Sequence, residues 1–310
     1  MRNVFSVLFC ILSLVGFSQS TFVYPSLYVE YDSAVTYKHL KLIPVKRTDS
    51  SEMIVQQNDQ VFYPLKTALK KGWVKIKERG NYMVDNINVL IIENNSNEKI
   101  FIRSGEMVTG GRQDRVIAAD TILMPGKKEY TIPVYCIEES RWSEHEKKFS
   151  YGGNAASGLQ KIIDSAHNQK KLWEEIRRLL VLNNQTSSSS YATLLSNHKI
   201  ADSTNEYVKF FLKQFSKRDS SIVGIIASSG NKVLGADVFI NEGLFYQTLP
   251  ELLNKYCIEA VINGSPASIS LNKEQDYANE MLNRETQDKF LKNKGKRILY
   301  KGKLIQITGY

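Results

Sequence analysis

NVLIIENNSNEKIFIRSGEMVTGGRQDRVIAADTILMPGKKEYTIPVYCIEESRW, residues 88–142, is the stretch on which the fold turns. Apolar, β-branched runs alternate with turn clusters at close spacing. Ile87 to Glu93 reads as a strand, Asn94-Asn95-Ser96-Asn97 as a turn, and Lys99 to Arg103 as the return strand of a hairpin. Val116 to Ala119, Thr121 to Met124 and Tyr130 to Cys136 follow as strands, the last two separated by the Pro125-Gly126 turn. Several short strands joined by turn signals predict an antiparallel sandwich or open barrel. Between the strands sits a polar knot, Ser104 to Arg115.

Outward toward the N-terminus, Leu27 to Tyr31 and Leu40 to Arg47 are strand-like, with Pro44 marking an edge strand or a strand end. Tyr63 to Lys71 reads as a short helix, with Pro64 in its first turn and Gly72 at its end. Trp73 to Glu78 alternates apolar and charged residues, as a half-buried strand does. The first 20 residues have a signal-peptide pattern: Arg2, an apolar run from Val4 to Phe17, then Ser18-Gln19-Ser20. The run is too short to span a bilayer. The expected product begins near Thr21, is periplasmic or secreted, and carries no transmembrane segment.

Beyond Trp142 the composition turns helical. Leu159, Ile162 and Ile163, then Leu172, Trp173, Ile176, Leu179 and Leu180, fall at helical spacing over 155–182. Further helices are expected over Tyr191 to Asn197, Asn205 to Lys217, Glu242 to Cys257 with Pro250 bending or splitting it, and Ser268 to Asn283. Ile222 to Ala227 with Lys232 to Ile240, and Arg297 to Tyr300 with Leu304 to Thr308, read as hairpins. The fold class is therefore α+β. An antiparallel β-sandwich-like part over 21–145 precedes a mainly helical part with hairpins over 150–310, packed on the first.

Loss of the leader removes Arg2 alone among charged residues, so the net charge of +9 becomes +8. The Lys and Arg residues are scattered rather than gathered in a strip, which argues for solubility or an anionic small-molecule partner and against nucleic acid. Protein partners are left open. Cys136 and Cys257 both sit in apolar company and read as buried free thiols rather than a disulfide. No metal-binding spacing, nucleophile elbow, dinucleotide fingerprint or P-loop is present, so no metal or cofactor is expected.

Chemistry is expected at the knot. Gly110 and Gly111 free the backbone to turn amides outward, and Arg112 and Arg115 suit a phosphate or carboxylate. Gln113 would orient the ligand and Trp142 would form a wall, with Arg141 and Trp142 stacked to cover a pocket or a core edge. Glu106, Asp120 and Glu138 are candidate acid and base groups. The histidines offer less: only His145 lies near the knot, on a charged loop.

The order Ser104-Gly-Glu106, Gly110-Gly-Arg-Gln-Asp-Arg115, Asp120-Thr121, Ile132-Pro-Val-Tyr-Cys-Ile-Glu138 and Arg141-Trp142 resembles the domain named for its association with ADP-ribosylglycohydrolases and rhodanese-phosphatases. That is a domain of unknown function. The resemblance continues loosely through Leu172 to Ile176 and from Ile222 to Tyr256. It marks Glu106, Gly110, Gly111, Gln113, Arg115, Asp120, Glu138, Arg141 and Trp142 as motif positions and implies a role near ADP-ribose or related nucleotides. The leading expectation is a non-catalytic binding protein for an anionic or nucleotide-like small molecule. A hydrolase of phosphorylated or glycosidic molecules, and a structural or interaction module, are the alternatives.

Overall fold

Residues 27–48, 61–78, 88–139 and 147–310 are described by a computed structural model. The leader at 1–20, the strand-like Phe22 to Tyr24, and Arg141, Trp142 and His145 lie outside the described residues. In chain order the first elements are β1 (Leu27–Val29), β2 (Val35–Tyr37), β3 (Leu40–Arg47), β4 (Phe62–Pro64), α1 (Leu65–Lys70), β5 (Val74–Glu78), β6 (Val89–Asn94) and β7 (Lys99–Ile102). Next come β8 (Glu106–Gly111), β9 (Arg115–Ile117), β10 (Thr121–Leu123), β11 (Lys128–Cys136) and β12 (Lys147–Asn154). The helices α2 (Ser157–Ala166), α3 (Gln169–Leu182), α4 (Tyr191–Ser196) and α5 (His198–Gln214) follow. The chain ends with β13 (Ile222–Ser229), β14 (Lys232–Phe239), α6 (Glu242–Asn263), α7 (Leu271–Leu282), α8 (Gln287–Lys294), β15 (Gly295–Tyr300) and β16 (Lys303–Gly309). The α+β class is as expected.

Three sheets organise these strands. A six-stranded sheet has the order β12-β8-β9-β11-β6-β5, and a small one the order β10-β7-β4. Leu90, Ile92, Val108, Ile117, Ile132 and Val134 of the first meet Ile100, Ile102 and Leu123 of the second in one buried cluster. This is the sandwich-like part. The third sheet runs β1-β3-β13-β14-β16-β15, with β2 also on β3. Two strand pairings cut across a division at 145–150: β3 pairs with β13, and β12 returns to β8.

The expected hairpin of the 87–93 and 99–103 strands does not form. β6 pairs with β5 and β11, whereas β7 pairs with β10 and, in parallel, with β4. The turn composition is real, but its chemistry sends the chain from one sheet to the other. Asn94 is fully buried. Its amide donates to the carbonyls of Glu98 (2.7 Å), Met124 (3.1 Å) and Leu123 (3.3 Å), and its oxygen accepts from the Ser96 amide (3.0 Å) and hydroxyl (2.7 Å). The turn is thus tied to the 123–124 segment and not to its own returning strand.

Pro44 also departs from expectation, because β3 is an interior strand. Its carbonyl accepts from Glu30 N–H (3.0 Å), so its nitrogen faces the same side, between the segments that β1 and β2 cover. No ladder bond is lost there. The 155–182 helical stretch is two helices, broken at His167, which takes a left-handed φ of 45°. Asn168 then caps α3 by accepting from Lys171 N–H. α6 runs on through Pro250 rather than splitting there.

α6 is the central rod. Its residues enter two separate apolar clusters, one with β13 and α5, the other with α2, α3 and α4. A helix that is apolar all round is a buried helix. The opposite face of the third sheet is covered by α7 and α8. Cys136 and Cys257 are separate buried thiols. Among the described residues no helix is long and apolar enough to cross a membrane.

Asn94→Ala strips a buried junction of its donors and leaves carbonyls unpaired. It is expected to lower the unfolding free energy by about 3 kcal/mol, seen as a fall in the urea midpoint at unchanged slope.

Candidate functional site

The polar turn after β8 is filled by the chain's own groups. Gly110 N–H donates to Asp114 Oδ1 (2.9 Å), and Arg112 N–H donates to Glu78 Oε1 (2.9 Å). Arg112 Nε lies 3.3 Å from Glu78 Oε2. The paired glycines answer a packing need. A Cβ on Gly110 would meet Lys148 O at 2.5 Å, and one on Gly111 would meet the Phe149 ring at 2.3 Å. Arg115 and Gln113 point inward: Arg115 Nη1 donates to Gln113 Oε1 (2.6 Å), and Gln113 Nε2 donates to Glu138 O (3.1 Å). Glu138 is bridged through its backbone to Ser190. A shallow depression of about 450 Å³ beside the turn is lined by small polar residues, among them Thr109, Ser190 and Thr193.

A denser collection of charge lies where the three sheets and α6 meet. Arg103 and Ser104, between β7 and β8, face Glu251 and Lys255 of α6, with Asp120 and Gln306 completing much of the wall. They surround a cavity whose deep part admits about one water-sized centre, about 10 Å³; with its opening to solvent the free space is about 300 Å³. Asp120 Oδ1 accepts from Ser104 N–H (3.0 Å), and its Oδ2 pairs with Lys296 Nζ (2.5 Å). Lys296 also reaches Asp164 (3.0 Å) and donates to Ser104 Oγ. Tyr310 donates its phenol proton to Asp164. Half-exposed Lys66 of α1 reaches Glu251 Oε1 at 3.1 Å.

Behind the cavity, Asp237 of β14 is the hub. It accepts from Lys255 Nζ, Tyr256 Oη (2.8 Å), Gln306 Nε2 (2.7 Å) and Thr308 Oγ1 (2.9 Å). Burial pushes its pKa up, but the Lys255 charge and these donors outweigh burial and hold it below the ordinary carboxylate value. Lys255 is lowered: burial dominates, Asp237 opposes it, and the positive charges of Arg103 and Lys296 add to the fall. Burial likewise tends to lower Lys296, but Asp120 and Asp164 together raise it.

Glu106 is fully buried. Its Oε2 accepts from Arg103 N–H (2.8 Å), while its Oε1 lies 3.8 Å from Arg103 Nη2, beyond hydrogen-bonding distance. Burial raises its pKa to about 7, opposed by Arg103 and reinforced by the negative charges of Glu251 and Asp120. A carboxyl that carries its proton near neutrality is an acid in waiting.

The structure therefore brings Glu106 and Asp120 together around Arg103 and leaves Glu138 with Gln113 and Arg115 at the turn. Gly110, Gly111 and Arg112 are likewise at the turn. Arg103, Lys255, Glu251, Asp237 and Lys296 were not singled out in the sequence. A signal was there for two of them. Glu251, Lys255 and Glu259 recur at i, i+4 and i+8 within a helix otherwise apolar on every side, and all three are buried. Such a stripe has to be matched by charge from elsewhere in the fold. Among the described residues no group of His, Cys, Asp and Glu could hold a metal ion.

Two outcomes test these electrostatics. Folded Glu106 keeps its proton up to about pH 7, while the unfolded chain releases it near pH 4.3. The folded state thus binds more protons in that window, and stability falls as pH rises through it. Urea titrations at pH 5 and pH 8 should show a loss of up to about 3 kcal/mol that Glu106→Gln abolishes. Asp237→Ala leaves Lys255 buried and uncompensated, and is expected to cost about 3–5 kcal/mol. Lys255→Met in the same chain should recover part of this in a double-mutant cycle.

No curated protein and no solved structure matches this chain. A family sequence model does, over residues 28–305, described as the ARG and Rhodanese-Phosphatase-superfamily-associated Protein domain. That span includes the polar turn and the charged cavity apart from Gln306 and Thr308 on its edge, and Tyr310. The chain belongs to the ARG and Rhodanese-Phosphatase-superfamily-associated Protein domain family.

Proposed function

We propose that this is an exported, non-catalytic binding protein for a small polar molecule with an anionic group, and that the ligand sits in the Arg103–Lys255 cavity. One observation carries the reading. The Arg103 guanidinium is buried, yet among the described residues its carboxylate contact, Glu106, is 3.8 Å away. A planar fork of donors buried without a close partner is matched by a carboxylate or phosphate. The amides of the Gly110–Arg115 turn, by contrast, already have Asp114 and Glu78.

A hydrolase is the second reading, favoured by the raised pKa of Glu106 beside Glu251 and Asp120. Both oxygens of Asp120 are engaged by Ser104 and Lys296, which leaves Glu251 as the better base. Turnover of a phosphorylated or glycosidic substrate should then fall above about pH 7, as Glu106 loses its proton, and Glu106→Gln should abolish it.

The binding reading is tested by thermal shift with small carboxylates, amino acids, sugar phosphates and nucleotides. Ligand at 100 times its Kd stabilises by about 2.7 kcal/mol, a shift of several degrees. The shift should vanish in Arg103→Lys, which keeps the charge but loses the fork, and persist in Arg112→Ala. The reverse pattern places the ligand at the turn. Export is tested separately by N-terminal sequencing of the protein recovered outside the cytoplasm, which should begin at Thr21.

A further inference from the structure

The cavity offers more than a place for an anion. Its donors and its acceptors are both incompletely used. On the donor side are Arg103 and Lys255. Among the described residues the Lys255 ammonium finds one hydrogen-bond acceptor, Asp237, although it has three protons to give. On the acceptor side, Glu251 Oε2 and Gln306 Oε1, both on residues that line the cavity, are buried with no donor among the described residues. A buried acceptor left without a donor costs about 1–3 kcal/mol. Two of them lining one cavity make a demand on whatever fills it.

The balance of charge narrows the class. Below about pH 7, where Glu106 keeps its proton, the carboxylates of Asp120, Asp164, Asp237 and Glu251 in and around the cavity equal in number the cations Arg103, Lys255, Lys296 and Lys66. These charges cancel. A bare anion would bring an uncompensated charge into a buried site, which is costly. A molecule with one charge of each sign brings none. Glu251 is also the carboxylate with the weakest compensation, since its ion-pair partner Lys66 is half exposed and its second oxygen has no donor among the described residues.

Resting on the binding site proposed above, we infer that the cavity takes a small zwitterion, its anionic group held by Arg103 and Lys255 and its ammonium by Glu251 and Gln306. Two of the three ammonium protons meet these acceptor oxygens, and the third is left toward the opening. The deep part admits only about one water, so the molecule lies mainly in the opening, where about 300 Å³ of free space in all suits a compact one with its two charges a few bonds apart.

The test is a calorimetric series on the unmodified protein. β-Alanine and 2-aminoethanesulfonate are compared with propionate and ethanesulfonate, which lack the ammonium, and with 3-hydroxypropionate and 2-hydroxyethanesulfonate, which replace it by hydroxyl. The zwitterions are expected to bind at least about tenfold more tightly than either matched set, the worth of one charge-assisted hydrogen bond. In Glu251→Gln that advantage should disappear while affinity for propionate or ethanesulfonate stays within about twofold. Plain anions or hydroxyl analogues that bind as tightly as the zwitterions overturn the inference and leave the anion site standing. An advantage that survives Glu251→Gln also overturns it. If none of the six molecules binds, the inference and the proposed site fail together. The ligand series decides without any variant, so a folding defect in Glu251→Gln does not remove the test.

Discussion

Burying ionised groups is the constraint on which this molecule depends. Asp237, Lys255, Glu106, Arg103 and Glu251 are each less than a tenth exposed. None can stay charged in the interior without a partner of opposite sign or several hydrogen bonds. Their partners come from distant parts of the chain: β14 supplies Asp237, α6 supplies Glu251 and Lys255, the β7–β8 connection supplies Arg103, and β15 supplies Lys296. Apolar clusters tolerate small shifts in packing, whereas a four-donor carboxylate such as Asp237 does not. The network thus fixes how the sandwich-like sheets, the third sheet and α6 come together.

That requirement explains features that otherwise look unrelated. Ser104 and Gly105 form a tight connection because Ser104 must present its amide to Asp120 and its hydroxyl to Lys296. Gly105 takes a positive φ of 85°, with Gln160 packed against it, and Gln160 in turn donates to Ser104 O. The last strands, β15 and β16, bring Lys296, Gln306 and Thr308 to the same place from the far end of the sequence. An interior arranged this closely, yet with two cavity-lining acceptors and a guanidinium incompletely paired among the described residues, spends stability in a way that a purely structural junction has no need of.

The two polar centres have different characters. At the Gly110–Arg115 turn every backbone donor named above meets a carboxylate of the same chain, and the glycines are required by the approach of β12. Its backbone donors therefore serve the chain itself, whereas the donors of the cavity have room for something else. The distinction rests on partner geometry rather than residue type, since both centres contain arginine, carboxylate and glycine.

Taken alone, the sequence determined the α+β class, most of the strands, the helical second half, the two C-terminal hairpins and the family. Each of these depends on periodicity, turn chemistry or a contiguous motif, which are local properties. It also pointed to Glu106 and Asp120. Only the tertiary structure decided that β6 and β7 belong to different sheets, that Pro44 lies inside a sheet, and that Arg103 rather than Arg112 or Arg115 faces a cavity. The physical reason is that strand partners and ion-pair partners are chosen across the fold. Asn94 looks like any turn asparagine until its amide is seen to reach Met124, and Lys255 looks like a surface lysine until Asp237 is placed beside it. The Glu251–Lys255–Glu259 stripe was legible as an anomaly in an apolar helix, but the groups that answer it, Lys66, Asp237 and the Gly158 amide, lie on other elements, from 18 to more than a hundred residues away.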